Sequence, residues 1–99
     1  MIMPTREQLL REAAEKESLA ATFAGAARSI AATFDGIPLR ASESEPIWKG
    51  AAADRYLTDA SHLRREMADL EESCLATAEA LRRRAEQFRK TAALLPDLA

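Results

Sequence analysis

The chain has one cysteine in 99 residues, Cys74, so no disulfide can close within it and the fold has no covalent staple to lean on. It has one histidine, His62, with neither a second histidine nor a cysteine at ligand spacing, which argues against a bound metal. Glycine and proline number only three and four, too few for the frequent turns of a β-sandwich or barrel. Aromatic residues make up 5%, and the leading apolar residue is alanine, which buries little area but has the highest helix propensity. No apolar run is long enough to cross a membrane, and Met1–Glu7 lacks the apolar centre of a signal peptide. The net charge is -2, so there is no strong electrostatic draw toward nucleic acid. The expectation is one domain with no cofactor, resident in the cytoplasm before any export.

What remains is helix. Thr5-Arg6-Glu7-Gln8 fits a capping box, with the Thr5 hydroxyl accepting from a backbone N–H and Gln8 reaching back. Behind it Leu9, Ala13, Lys16, Ala20, Phe23, Ala27, Ile30 and Phe34 follow in alternating steps of four and three. This is heptad spacing with one polar entry, Lys16. The spacing predicts a helix over about 6–35. Gly36 and Pro38 stop it, and a loop follows over about 36–45. Ser42 or Ser44 can cap a second helix, with Pro46 in its first turn. That helix, over about 46–95, carries Ala53, Tyr56, Ala60, Leu63, Met67, Leu70, Cys74, Thr77, Leu81, Arg84 and Phe88 on one stripe, and Pro96 marks its end.

The charge is uneven. Residues 41–80 carry nine acids against four bases, whereas residues 81–99 carry Arg82, Arg83, Arg84, Arg89 and Lys90 against Glu86 and Asp97. If the chain reverses tightly at the loop, Leu9 faces residues 72–78 and everything beyond about residue 80 overhangs the start of the first helix. On that reading Arg82, Arg83, Arg84, Phe88 and Arg89 form a candidate docking tail for an acidic partner; the plainer reading is a solvated face that complements the helix dipole. Two helices alone rarely offset the entropy of ordering them. Two hairpins packed into a four-helix bundle bury both stripes. The expected fold is therefore all-α: an antiparallel two-helix hairpin that dimerises through Leu9, Phe23, Ile30, Phe34, Tyr56, Leu63, Met67, Leu70 and Leu81.

Trp48-Lys49-Gly50 lies at the midpoint, between the two heptad stretches. Alanines follow at 51–53, and an aromatic, Tyr56, stands eight residues after the Trp. Together with the chain length, this layout resembles the WXG family, the ESAT-like proteins of type VII secretion. The resemblance covers essentially the whole chain. It implies a helical hairpin, dimers that build four-helix bundles, and export without a cleaved signal peptide. Members act as substrates, co-exported partners or adaptors of larger effectors. The chain departs from the family in its tail: a Tyr-x-x-x-Asp/Glu export signal is expected just after the second helix, and the only tyrosine is Tyr56. That departure puts the signal on a partner and points to a heterodimer with a second WXG-like chain, with a homodimer as the other arrangement. Trp48 either caps the hairpin end by packing or forms part of a surface for the secretion ATPase. Gly50 is read as steric, its missing side chain letting the loop or Trp48 approach closely.

The competing class is a cytoplasmic chaperone-like partner for a larger helical toxin or effector. An enzyme of the helical mutase type would need several convergent cations with an acidic or amide partner, and only Lys16 and Arg84 lie on the stripes, far apart. No catalytic residue is assigned. Cys74, on the apolar stripe, reads as a small buried hydrophobe.

Overall fold

The computed structural model describes residues 3–35 and 50–96, the Phe34 side chain excepted. Two helices account for nearly all of them: α1, Arg6–Asp35, and α2, Ala51–Leu94. No strand occurs among the described residues. Trp48, Lys49, the expected loop 36–45 and the expected caps Ser42, Ser44 and Pro46 lie outside them.

The start of α1 is chemically defined. The Thr5 amide donates to Gln8 Oε1 at 2.8 Å, and the Gln8 amide donates back to Thr5 Oγ1 at 3.1 Å. Two of the four orphan amides at a helix start are thereby satisfied. At the far end of α2, Leu95 is extended at φ -84, ψ 144, the conformation that a following proline imposes. Its amide turns back to the Ala92 carbonyl at 3.1 Å.

The start of α2 differs from the sequence expectation. It begins at Ala51, not near 46, because Gly50 stands at φ 96, ψ -168. No helical register can pass through that conformation. Among the described residues a Cβ built on Gly50 meets nothing within 4 Å, so what they show to call for glycine is its dihedral. The steric reading, which concerns the loop and Trp48, lies outside the described residues. The region is accessible to glycine and strained for L-residues by about 1–3 kcal/mol. Gly50→Ala should therefore lower the melting temperature, while D-alanine introduced at residue 50 by ligation should leave it unchanged. Equal losses from both would return the argument to sterics.

The packing of α1 on α2 is made of alanine. Among the described residues every buried one except Leu9 and Cys74 is Ala: 13, 20, 24, 27, 53, 60, 78, 85 and 92, of which Ala53 and Ala60 lie in the part of α2 that extends past α1. Ala20, Ala24 and Ala78 form the centre, with Phe23 and Leu81 against them. Small side chains let the helix axes approach closely, so the stripes are tight but thin. No large side chain among the described residues is fully buried.

The register also differs from expectation. Leu9 shares a groove with Arg84, Gln87, Phe88 and Thr91, not with residues 72–78. Arg89 Nη1 lies 2.9 Å from Glu17 Oε1 across the hairpin, and Met3–Leu10 meet Leu95 and Pro96 around an open cleft of about 710 Å³. The basic segment is therefore not an overhang but the half of α2 on which α1 lies. The physical reason is in the heptad. Ala78, Ala85 and Ala92 recur every seven residues and accept the alanine line 13, 20, 27 of α1. The same heptad position further toward the start of α2 holds Leu57 and Arg64, which are too large for so close an approach. At ~1.5 Å per residue α2 is about 20 Å longer than α1, and the excess is at its N-terminal end.

Candidate association surface

The hairpin is a single layer. Its extents are 73 × 22 × 14 Å, and one helix with side chains is already about 10–12 Å thick. Each helix thus presents two flanks that its neighbour does not cover, and helical spacing sorts residues between them.

One broad face is charged. It holds Leu10 and Leu75, but also Glu17, Arg82 and Arg89 together with Glu72, Glu79 and Glu86. The Glu17–Arg89 bridge closes it, and Arg89 also lies 4.0 Å from Glu86 Oε2. These side chains are nearly half exposed, so the bridge adds little stability; its use is to mark the register.

The opposite face is apolar through its middle. On α2 it runs through Tyr56, Leu63, Leu70, Thr77, Arg84 and Thr91, flanked by Asp59, Glu66, Ser73, Ala80 and Gln87. On α1 it carries Leu19, Ala26 and Thr33. Leu19, Leu63 and Leu70 are 45%, 44% and 53% exposed. Phe23, Ile30, Met67, Leu81 and Phe88 lie half-buried beside them. Helical spacing puts no charged side chain on this face between Lys16 and Asp35 of α1, or between Glu66 and Arg84 of α2.

The expected stripe residues fall into three groups. Leu9 is buried. Phe23, Ile30, Tyr56, Met67 and Leu81 are half-buried. Leu63 and Leu70 are exposed, because α1 packs on the line Glu71, Ala78, Ala85, Ala92 in place of Leu70, Thr77, Arg84. Thr77 and Arg84 are exposed for the same reason. Phe34 and Trp48 lie outside what is described.

The candidate docking residues separate as well. Arg83 is 3.5 Å from Glu79 and Arg89 is held by Glu17. Arg82 and Arg84 make no ion pair among the described residues, and Arg84 borders the groove between Leu9 and Phe88. Lys16 Nζ is bound to Glu12 Oε2 at 3.2 Å. Cys74 is a buried free thiol, and His62 is exposed. Among the described residues no cluster of His, Cys, Asp or Glu is placed to hold a metal ion, and no helix is long and apolar enough to cross a membrane. Sequence reading missed the Glu17–Arg89 pair and the cleft between Met3–Leu10 and Leu95–Pro96, since both depend on the inter-helix register. The recurrence of Ala78, Ala85 and Ala92 was the available signal.

No family model, no curated protein and no solved structure matches this chain.

Proposed function

We propose that this chain is a helical pairing module, a WXG-like substrate, co-substrate or adaptor of a type VII secretion system. It would act by docking its apolar face on a second hairpin to complete a four-helix bundle. The observation that carries the pairing is surface area. The chain exposes 7471 Å², whereas a compact monomer of 10.9 kDa exposes about 5,600 Å². The excess, about 1,900 Å², falls in the range that one partner contributes to an obligate interface. The radius of gyration, 22.1 Å, compares with about 13 Å for a compact domain of this length. A one-layer hairpin with an alanine seam has little core of its own, and pairing supplies the second layer that a stable domain requires. The secretion role rests on Trp48-Lys49-Gly50 and on the hairpin layout. In that role the partner carries the export signal, or the assembled bundle presents a surface to a secretion ATPase or larger effector.

Leu63→Asp tests this reading. Leu63 is exposed in the single hairpin, so the substitution should leave its helix content intact. The pairing face would then carry two buried carboxylates per dimer, each strongly disfavoured. In light scattering the variant should run at one chain mass while the unsubstituted chain runs as a complex. In a host with a type VII apparatus it should disappear from the culture medium. A variant that pairs and is exported like the parent would sink the proposal.

A further inference from the structure

We infer that the seam within the hairpin holds two registers one heptad apart, and that α1 slides along α2 between the observed one and a second in which Ile30 leaves Glu71 and seats on Ala78.

Side-chain size defines the observed register. Ala20, Ala24 and Ala78 pack with Phe23 and Leu81 at the centre, so antiparallel geometry sets Phe23 over Ala78 and Ala20 over Leu81. Carried toward one end, the same order gives Lys16 over Ala85, Ala13 over Phe88 and Leu9 over Ala92. Leu9 accordingly borders Phe88 and Thr91. Carried toward the other end, it gives Ala27 over Cys74 and Ile30 over Glu71. Each step but the last sets alanine against a larger side chain. Ile30 and Glu71 are both half-buried, and Glu71 makes no ion pair among the described residues. A partly dehydrated carboxylate against isoleucine is the weak step of the seam.

The chain repeats this order every seven residues. Alanines 13, 20 and 27 of α1 are interleaved with Lys16, Phe23 and Ile30, and alanines 78, 85 and 92 of α2 with Leu81, Phe88 and Leu95. Moving α1 by one heptad toward the end of α2, about 10 Å, therefore meets the same shapes. Ala13 falls on Leu95, Lys16 on Ala92, Ala20 on Phe88, Phe23 on Ala85 and Ala27 on Leu81, and Ile30 gains Ala78. The loss is at Leu9, buried in the observed register and carried past Pro96 in the second. The bridge between Glu17 and Arg89 serves both. Glu17 is now level with Arg84 and reaches five positions to Arg89 at 2.9 Å; in the second register it is level with Thr91, two positions away. A slide in the opposite direction sets Phe23 on Glu71 and Ile30 on Arg64. A further heptad in the same direction carries the first half of α1 off the end of α2. Two registers are thus the full set.

The connection permits the slide. Asp35 and Gly50 stand about 24 Å apart along the axis in one register and about 34 Å in the other, and a chain the length of 36–49 can span about 46 Å. Ala53 and Ala60 are buried; moved by the same heptad, their cover falls on Ala60 and Met67, the next positions of that line. On the open apolar face the slide draws Leu19 from the level of Arg82 to that of Arg89, away from Leu63 and Leu70, so the register sets the shape of that face. The two registers follow from the hairpin alone and are independent of the secretion reading.

Disulfide trapping distinguishes one register from two. Ala27→Cys opposes the native Cys74 in the observed register. Ala27→Cys with Leu81→Cys, in a Cys74→Ala chain, opposes two thiols only in the second register; in the first they are offset by about 10 Å along the axis, beyond what a disulfide bridges. Ala27→Cys with Ala92→Cys, again in Cys74→Ala, is aligned in neither. Each chain is shown to be helical by circular dichroism, and closure within single chains is read by mass at high dilution in a glutathione buffer. The first two should close and the third should stay reduced. In the second chain, Leu9→Ala should raise the ratio of closed to open form about tenfold and Glu71→Ala should lower it about tenfold. Closure of the first chain with none in the second would mean a single register and overturn the inference. Equal closure of the third would mean that the thiols meet by unfolding, which overturns it as well. If Leu81→Cys costs the second chain its helix, Ile30→Cys with Ala78→Cys in Cys74→Ala is aligned only in the second register and must close in its place.

Discussion

A chain ended after Leu81 should lose more helix than the deleted residues account for. The removed segment contains Ala85, Phe88, Arg89, Ala92 and Leu95, which are the neighbours of the first half of α1. Without them Leu9 and Ala13, 5% and 1% exposed in the intact chain, lie open to water, and Glu17 loses Arg89. Residues 6–19 would then form an isolated helical stretch of about the length at which helices are marginal in water. The capping box at Thr5 and Gln8 would remain, but a cap contributes only about 1 kcal/mol and cannot hold several turns. Circular dichroism should therefore show a deficit beyond residues 82–94, and amides from Leu9 to Glu17 should exchange like those of an unstructured chain. Protection that persists at Ala13 in the shortened chain would mean that the carboxy-terminal part of α2 is an overhang and that the register is wrong. The result also bears on the basic segment as a docking element. Loss of partner binding on truncation would follow from loss of the hairpin and would say nothing specific about Arg82 or Arg84. Point substitutions at those exposed arginines are the cleaner probe.

The features legible in the sequence were local ones. The capping box fixed the first residue of α1. The four-three alternation from Leu9 to Ile30 identified a stripe whose members are all buried or half-buried. Pro96 marked the far end of α2 to within a residue. Each depends on residues at most a few positions apart, where helix geometry leaves one answer. The start of α2 was misjudged because Ser42, Ser44 and Pro46 are good caps in isolation, whereas Gly50 interrupts the helix through a dihedral that composition does not reveal. The register was misjudged for a different reason. Both halves of α2 carry an apolar stripe, and hydrophobic periodicity alone does not choose between them. Side-chain volume favours the observed half: Ala78, Ala85 and Ala92 form an unbroken line of small residues there, whereas the line of Ala53 and Ala60 continues into the bulkier Met67. The stripe accordingly shifts by one position near Cys74, leaving Leu63 and Leu70 on an open flank. That shift is what makes one broad face of the hairpin apolar. The open apolar face is therefore a consequence of where the alanines are, and no separate motif announces it.

The alanine seam makes a second strong expectation. Ala78 is 0% exposed and packs against Ala20 and Ala24. Ala78→Leu adds three carbons where the two helices touch, at a site closed to water. In larger cores such overpacking costs about 1–3 kcal/mol because neighbours shift to make room. Here the residues directly opposite are Ala20 and Ala24, with Phe23 and Leu81 beside them, so there is little side chain to shift and the helices themselves must separate along the line Ala13, Ala20, Ala27. With domain stabilities of about 5–15 kcal/mol at most, and a thin core at the low end of any such range, the loss is a large fraction of the whole. At fixed protein concentration the melting temperature should fall by roughly 5–20 °C, taking ~4–8 °C per kcal/mol for a chain of this size. Ala76→Leu is the control. Ala76 is exposed on the back of the same helix, so the identical chemical change should move the melting temperature little. Equal effects at 76 and 78 would show that leucine perturbs α2 through propensity or association alone and that the seam is not close-packed. A loss confined to Ala78→Leu would show that this hairpin depends on the absence of side-chain volume at its centre. The scarcity of large apolar residues would then be a condition of the fold and not a weakness in it.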